Sequence, residues 1–253
     1  MSCQTRKIHG SRNMYFVRLL ATLDIILPAY NPLPGWESVV INRYLSLKNR
    51  FPGITFQLII VNDGSNRIDE PGATKILKDS IPELIWISYS KNRGKGNALR
   101  QGVASSTAEL IVYTDIDWPY TEKSMTGLIN ILSGDMDAVI GVRDQEYYDH
   151  LPKTRSRISK LLRTFNGKLL RLKVNDTQAG LKGFKKSVRD IFLSTSIDRY
   201  LFDLEFIYFL SGKPDIKIIG FPIKLRPGIT FSKMNRKILF QEARNFIKIW
   251  IKS

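Results

Sequence analysis

Short runs dense in Ile, Val and Leu recur along the N-terminal half of the chain, and each closes on a polar tip. LDIIL from Leu23, FQLIIV from Phe56, LIWISY from Leu84, ELIVYTD from Glu109 and DAVIGV from Asp137 predict strands. The intervening stretches 37–50, 94–105 and 122–132 carry apolar residues at helical spacing and predict helices. Strands that are almost continuously apolar, alternating with helices, belong to a parallel sheet covered on both faces. The expected class is therefore α/β, a doubly wound and mostly parallel sheet flanked by helices. From about Leu151 the pattern shifts to longer basic helices and less regular strands, with no Pro/Gly/Ser linker and no repeat, so this half reads as an elaboration of the same domain.

Such sheets bind ligands beyond the carboxyl ends of their strands. Here those ends read LPAYN, NDGS, SKNRGKGN, DID and GVRD, and the expectation is of five adjacent tips bearing polar groups. The fourth is the most specific. If LIVYTDIDWPY stays extended through its aspartates, Asp115 and Asp117 share one face, because strand side chains alternate. Two carboxylates on one face repel unless a positive charge lies between them, and a divalent cation is the commonest such charge. A solvated polar strand end is the alternative.

Composition narrows the classes. The 253 residues are enough for one large domain, and 43% hydrophobic with 25% charged residues is ordinary for a globular chain. Cys3 is the sole cysteine, which excludes an intramolecular disulfide or a multi-cysteine metal site, and a reducing compartment is expected. His9 and His150 are the only histidines and suggest no zinc centre. A net charge of +16 favours a polyanionic partner: nucleic acid, an anionic membrane surface or a phosphorylated substrate. Nucleic acid is not expected. The chain has no helix-turn-helix, zinc or aromatic RNA-binding signature, and its acidic strand ends repel phosphate unless metal-loaded. No apolar run approaches the roughly 18–20 residues of a membrane span, since MYFVRLLATLDIIL is broken by Arg18 and Asp24.

Taken in order, LPAYNP, IIVNDGSN, NRGKGNALRQG, YTDID, GVRD, DTQAGLKGFKK and FDLEF resemble the motifs of family 2 glycosyltransferases of the GT-A fold, closest to the branch that makes dolichyl- or polyprenyl-phosphate mannose and glucose. The resemblance covers residues 23–233. It implies that Pro28, Tyr30 and Asp63 hold the nucleotide, and that Asp115 and Asp117 bind Mg²⁺ or Mn²⁺ bridging to the donor diphosphate. Hard cations do favour carboxylate oxygens completed by substrate phosphates. Asn92, Gly94 and Lys95 resemble the donor-side loop, where glycine lets the backbone approach a ligand and the next helix offers free N–H groups. Arg143 matches the arginine near the diphosphate, and Lys233 a lysine that closes over the phosphates. Asp176 and Gln178 match the acceptor side, with Asp176 either orienting or deprotonating the acceptor or serving as a turn cap. Glu205 lies on a pocket-lining helix or pairs with a core cation. Two positions depart from the family: Pro32 stands where an acidic residue is frequent, which leaves the donor base open, and Ile116 replaces a frequent alanine.

The reaction implied is inverting transfer of a hexose from a UDP- or GDP-sugar to a polyprenyl or dolichyl phosphate. A saccharide or other hydroxyl acceptor is the alternative, and a non-catalytic sugar-nucleotide scaffold a remoter one. The resemblance divides the chain into a basic extension 1–20, a catalytic domain 21–235 with a nucleotide-sugar half 21–145 and an acceptor half 146–235, and a C-terminal amphipathic helix 236–253. Segments 155–173 and 238–253 pair apolar faces with Lys and Arg, as interfacial helices do. Peripheral association with the cytoplasmic face of a membrane is therefore expected, with a homo-oligomer or a membrane-protein partner as the competing use of these helices.

Overall fold

In the computed structural model, residues 21–143, 170–199 and 201–228 are described. They form a seven-stranded sheet in the order β3-β2-β1-β4-β6-β5-β7. The strands are β1 (Ala21–Ala29), β2 (Ile54–Asp63), β3 (Leu84–Tyr89), β4 (Leu110–Tyr113), β5 (Ala138–Arg143), β6 (Lys182–Lys185) and β7 (Ile218–Ile223). Every neighbouring pair is parallel except those made by β6, which runs antiparallel to both β4 and β5. The expected mostly parallel α/β sheet is thus present, and β6 makes it mixed.

Helices α1 (Trp36–Asn49), α2 (Glu70–Ser80), α3 (Lys95–Ser105), α4 (Glu122–Leu132), α5 (Arg189–Leu193) and α6 (Phe202–Ser211) cover its faces. In α1, Trp36, Val40, Tyr44 and Leu47 are buried at a spacing that puts them on one side. α4 starts where Thr121 accepts the Ser124 N–H at 3.3 Å, with Glu122 placed favourably in the first turn. β1 shows how the sheet divides two cores: Leu23, Ile25 and Leu27 face the α1 and α4 side, and Ile26 faces α3, α5 and α6. On the second side Phe192 stacks on Phe184 at 5.2 Å and meets Phe206 edge-on at 4.8 Å.

Two expectations need correction. β4 ends at Tyr113, so Asp115 and Asp117 are not alternating strand residues; they sit on a turn in which the Trp118 N–H donates to the Asp115 carbonyl at 2.9 Å and Trp118 takes φ 48°. Nor are the five polar tips all adjacent, because β6 lies between β4 and β5. The insertion matters. An antiparallel strand begins at the edge where its neighbours end, so the segment entering β6, residues 176–181, is delivered to the carboxyl edge beside the aspartates.

Candidate active site

Asp63 ends β2, fully buried, and its carboxylate accepts from Asn92 Nδ2 (2.9 Å), the Arg93 N–H (2.8 Å) and the Gly94 N–H (2.9 Å). It therefore pins the loop that leads into α3. The Gly96 N–H donates to the Asp198 carbonyl at 2.7 Å. Of the first N–H groups of α3, that of Gly96 is therefore engaged within the protein, as are those of Arg93 and Gly94 in the loop before it. Gly94 is needed for two reasons: its φ is +106°, and a Cβ would come within 2.4 Å of the Asp198 carbonyl oxygen. Glu205 acts from α6 on the same loop pair, accepting the N–H groups of Ser196 (2.7 Å) and Ile197 (2.8 Å).

Pro28 lies buried at the end of β1, and Tyr30 beyond it is about half exposed. Asn31, at φ 47°, joins this loop to the next: its N–H donates to Ser65 and its Oδ1 accepts from the N–H groups of Asn66 and Arg67 at 3.1 Å each.

Lys95, the first residue of α3, points its ammonium onto Asp115 Oδ1 in direct contact. A cation at a helix N-terminus opposes the helix dipole by about 0.3–1 kcal/mol, so α3 gains nothing from this choice. Burial pulls the Lys95 pKa down, but the carboxylates of Asp115 and Asp203 outweigh it and the net shift is upward. The other oxygen of Asp115 is packed against Gly180, where a Cβ would lie 2.3 Å from it, so a side chain at that position would collide with the carboxylate. Asp117 is open to solvent yet hemmed in by protein, and this desolvation together with the Asp115 charge raises its pKa. Arg226 braces the turn, donating from Nε to the Trp118 carbonyl (2.7 Å) and from Nη2 to the Asp117 carbonyl (2.8 Å).

Asp176 and Arg143 meet across β5 and the entry to β6. The buried Asp176 carboxylate accepts from the Arg143 N–H (2.8 Å), Nε (3.0 Å) and Nη2 (2.8 Å), and from the Gln178 N–H (3.2 Å). Arg143 Nη2 also reaches Gln178 Oε1 at 3.4 Å. The three residues form one unit, with the guanidinium fixed by a two-point pair.

Beneath the aspartates lies a buried ion pair that the sequence reading missed. Lys182 Nζ, fully buried, is 2.9 Å from Asp203 Oδ1, and the Tyr113 hydroxyl donates to the same oxygen at 2.5 Å. Burial lowers the Lys182 pKa, with Asp203 opposing and the Lys95 charge assisting. A lysine in the otherwise apolar run AGLKGF was a readable signal, because lysine is almost never fully buried without a partner. Arg226 carried no such signal. Lys233 and the basic segments 155–169 and 238–253 lie outside the described residues.

Among the described residues no group of three or more His, Cys, Asp or Glu side chains is arranged to hold a metal. Two carboxylates nevertheless suit Mg²⁺ or Mn²⁺, which complete their shell with water and substrate phosphates, and the Asp115 side chain is 37% exposed beside an exposed Asp117.

A sheet of this order, with paired aspartates on the turn after its central β4 and Lys95 beside them, defines a class of α/β folds with a ligand site at the carboxyl edge rather than a single protein. Residues 24–192 match the profile of Glycosyl transferase family 2, and the chain belongs to that family. It is 28% identical over 252 residues to the human dolichyl-phosphate beta-glucosyltransferase, covering 90% of this chain and 77% of the relative. The enzyme of the same name from Dictyostelium discoideum is also 28% identical, over 250 residues, with 90% and 76% covered. Among solved structures, the mannosyltransferase PcManGT of Pyrobaculum calidifontis, in complex with GDP-Man and Mn²⁺, superposes with a TM-score of 0.54 at 18% identity, covering 79% of this chain and 54% of that one. The fold is thus that of GT-A glycosyltransferases.

Proposed function

We propose that this glycosyltransferase moves glucose from a nucleoside diphosphate sugar to a dolichyl or other polyprenyl phosphate, with inversion at the anomeric carbon. The observation that carries the reading is similarity to dolichyl-phosphate beta-glucosyltransferases along 90% of the chain. Pro28, Tyr30, Asp63 and Asn92 frame the nucleotide side, Asp63 through the loop it holds. Asp115 and Asp117 would hold Mg²⁺ or Mn²⁺, which supplies charge against the departing diphosphate. Arg143, fixed by Asp176, adds positive charge where the leaving group becomes negative.

A phosphate acceptor is already ionised and needs little help from a base. That agrees with an Asp176 whose oxygens are engaged by Arg143 and Gln178. A lipid acceptor also gives the net charge of +16 a purpose at an anionic membrane surface, on whose cytoplasmic face we place the enzyme. Among the described residues no helix is long and apolar enough to cross a membrane. The test is incubation with UDP-glucose, and separately with GDP-mannose, in the presence of a short polyprenyl phosphate and Mn²⁺. Glucosylated lipid is expected from the first mixture, whereas no lipid product from it, or sugar transferred to the lipid from GDP-mannose alone, contradicts the proposal.

A further inference from the structure

The contact between Lys95 and Asp115 bears on how the donor site fills. Asp115 Oδ1 already has a cation on it, and that cation belongs to the chain. The lysine stands at the N-terminus of α3, where its charge is unfavourable to the helix, and the loop before it is fixed by Asp63 and Asp198. The ammonium is therefore held at the carboxylate by the architecture.

We infer that Lys95 is a built-in counterion of the Asp115–Asp117 turn, which a divalent cation displaces only when a diphosphate arrives to receive the ammonium. A divalent ion entering alone must push a half-buried ammonium off Asp115. Of the other acids that act on Lys95, Asp117 would be taken up by the same divalent ion, and Asp203 is already engaged by Lys182 and the Tyr113 hydroxyl, so neither offers the displaced charge much. A diphosphate changes this balance, because its oxygens bind the metal and give Lys95 a new anionic partner. Metal and nucleotide then bind as a coupled pair, each raising the affinity for the other by the same factor. The inference rests on the donor-site reading above and concerns how that site is gated.

Mn²⁺ binding measured by the loss of free-ion electron paramagnetic resonance signal tests it without any turnover. In the wild type, Mn²⁺ alone is expected to bind weakly, and saturating UDP or GDP to strengthen it by roughly tenfold or more. In Lys95→Met, Mn²⁺ alone is expected to bind about tenfold more tightly than in the wild type, with most of the nucleotide enhancement gone. Lys95→Gln, which keeps a polar chain without the charge, must show the same gain and serves if the methionine variant folds poorly, as judged by circular dichroism. Unchanged Mn²⁺ affinity in a folded neutral variant overturns the inference while leaving the donor site standing. A wild type that binds neither UDP nor GDP, with or without Mn²⁺, instead overturns the donor-site reading itself.

Discussion

Asp117 and Asp176 show two ways in which one residue type serves a site. Asp117 lies open at the turn, and desolvation and the Asp115 charge raise its pKa. A carboxyl whose folded-state pKa lies above its unfolded value opposes folding when ionised. That cost is present above the folded pKa and disappears as the pH falls below the ordinary aspartate value of about 3.9. Carbon-13 titration of the Asp117 carboxyl in the metal-free protein is expected to show a midpoint above that value, and a midpoint at or below it contradicts the described environment. Asp176 is buried, and its carboxylate is filled by Arg143 and Gln178. Asp176→Asn leaves the guanidinium without its charged partner, so urea denaturation is expected to register a loss of about 3 kcal/mol, and transfer to fall as Arg143 loses its orientation. A loss well under 1 kcal/mol would show that the pair does not fix the arginine.

At the scale of elements, the site is made where loops are tied to one another. The 92–96 loop is held from below by Asp63 and from the side by the 196–198 segment, which Glu205 and Arg100 hold in turn. Gly94→Ala puts a side chain at a positive φ and against a backbone oxygen. The expected cost is about 1–3 kcal/mol in thermal or chemical denaturation, with weaker nucleotide binding as Lys95 moves, and wild-type values on both counts would contradict this packing of Gly94 on Asp198. Much of this layer was legible in the sequence. The five early strands and three of the helices follow from apolar runs and helical spacing, and the ordered motifs mark the strand ends. α2 escaped that reading, although Asp69 before Glu70 and a proline in the first turn are start signals. β6 escaped because four residues containing Gly183 carry too short a pattern. The ties made by Asp63, Glu205 and Asn31 depend on side chains reaching backbone groups from 8 to 36 residues away, and periodicity holds no information about them.

For the molecule as a whole, the antiparallel β6 joins the nucleotide half to the acceptor half by leading residues 176–181 past the aspartate turn. Donor charge and acceptor charge would then be handled on one sheet edge, by Asp115, Asp117 and Lys95 on one side and Arg143 on the other. The central claim is that this edge performs metal-dependent glucosyl transfer to a lipid phosphate. Its most direct test is mass-spectrometric detection of polyprenyl phosphate glucose formed from UDP-glucose, comparing Mn²⁺ with chelator and the wild type with Asp117→Asn. The account predicts product with Mn²⁺, none with chelator, and a decrease of at least about a hundredfold in the variant, the scale lost when a group stabilising transition-state charge is removed. Undiminished transfer by the variant, or by the wild type in chelator, would contradict it.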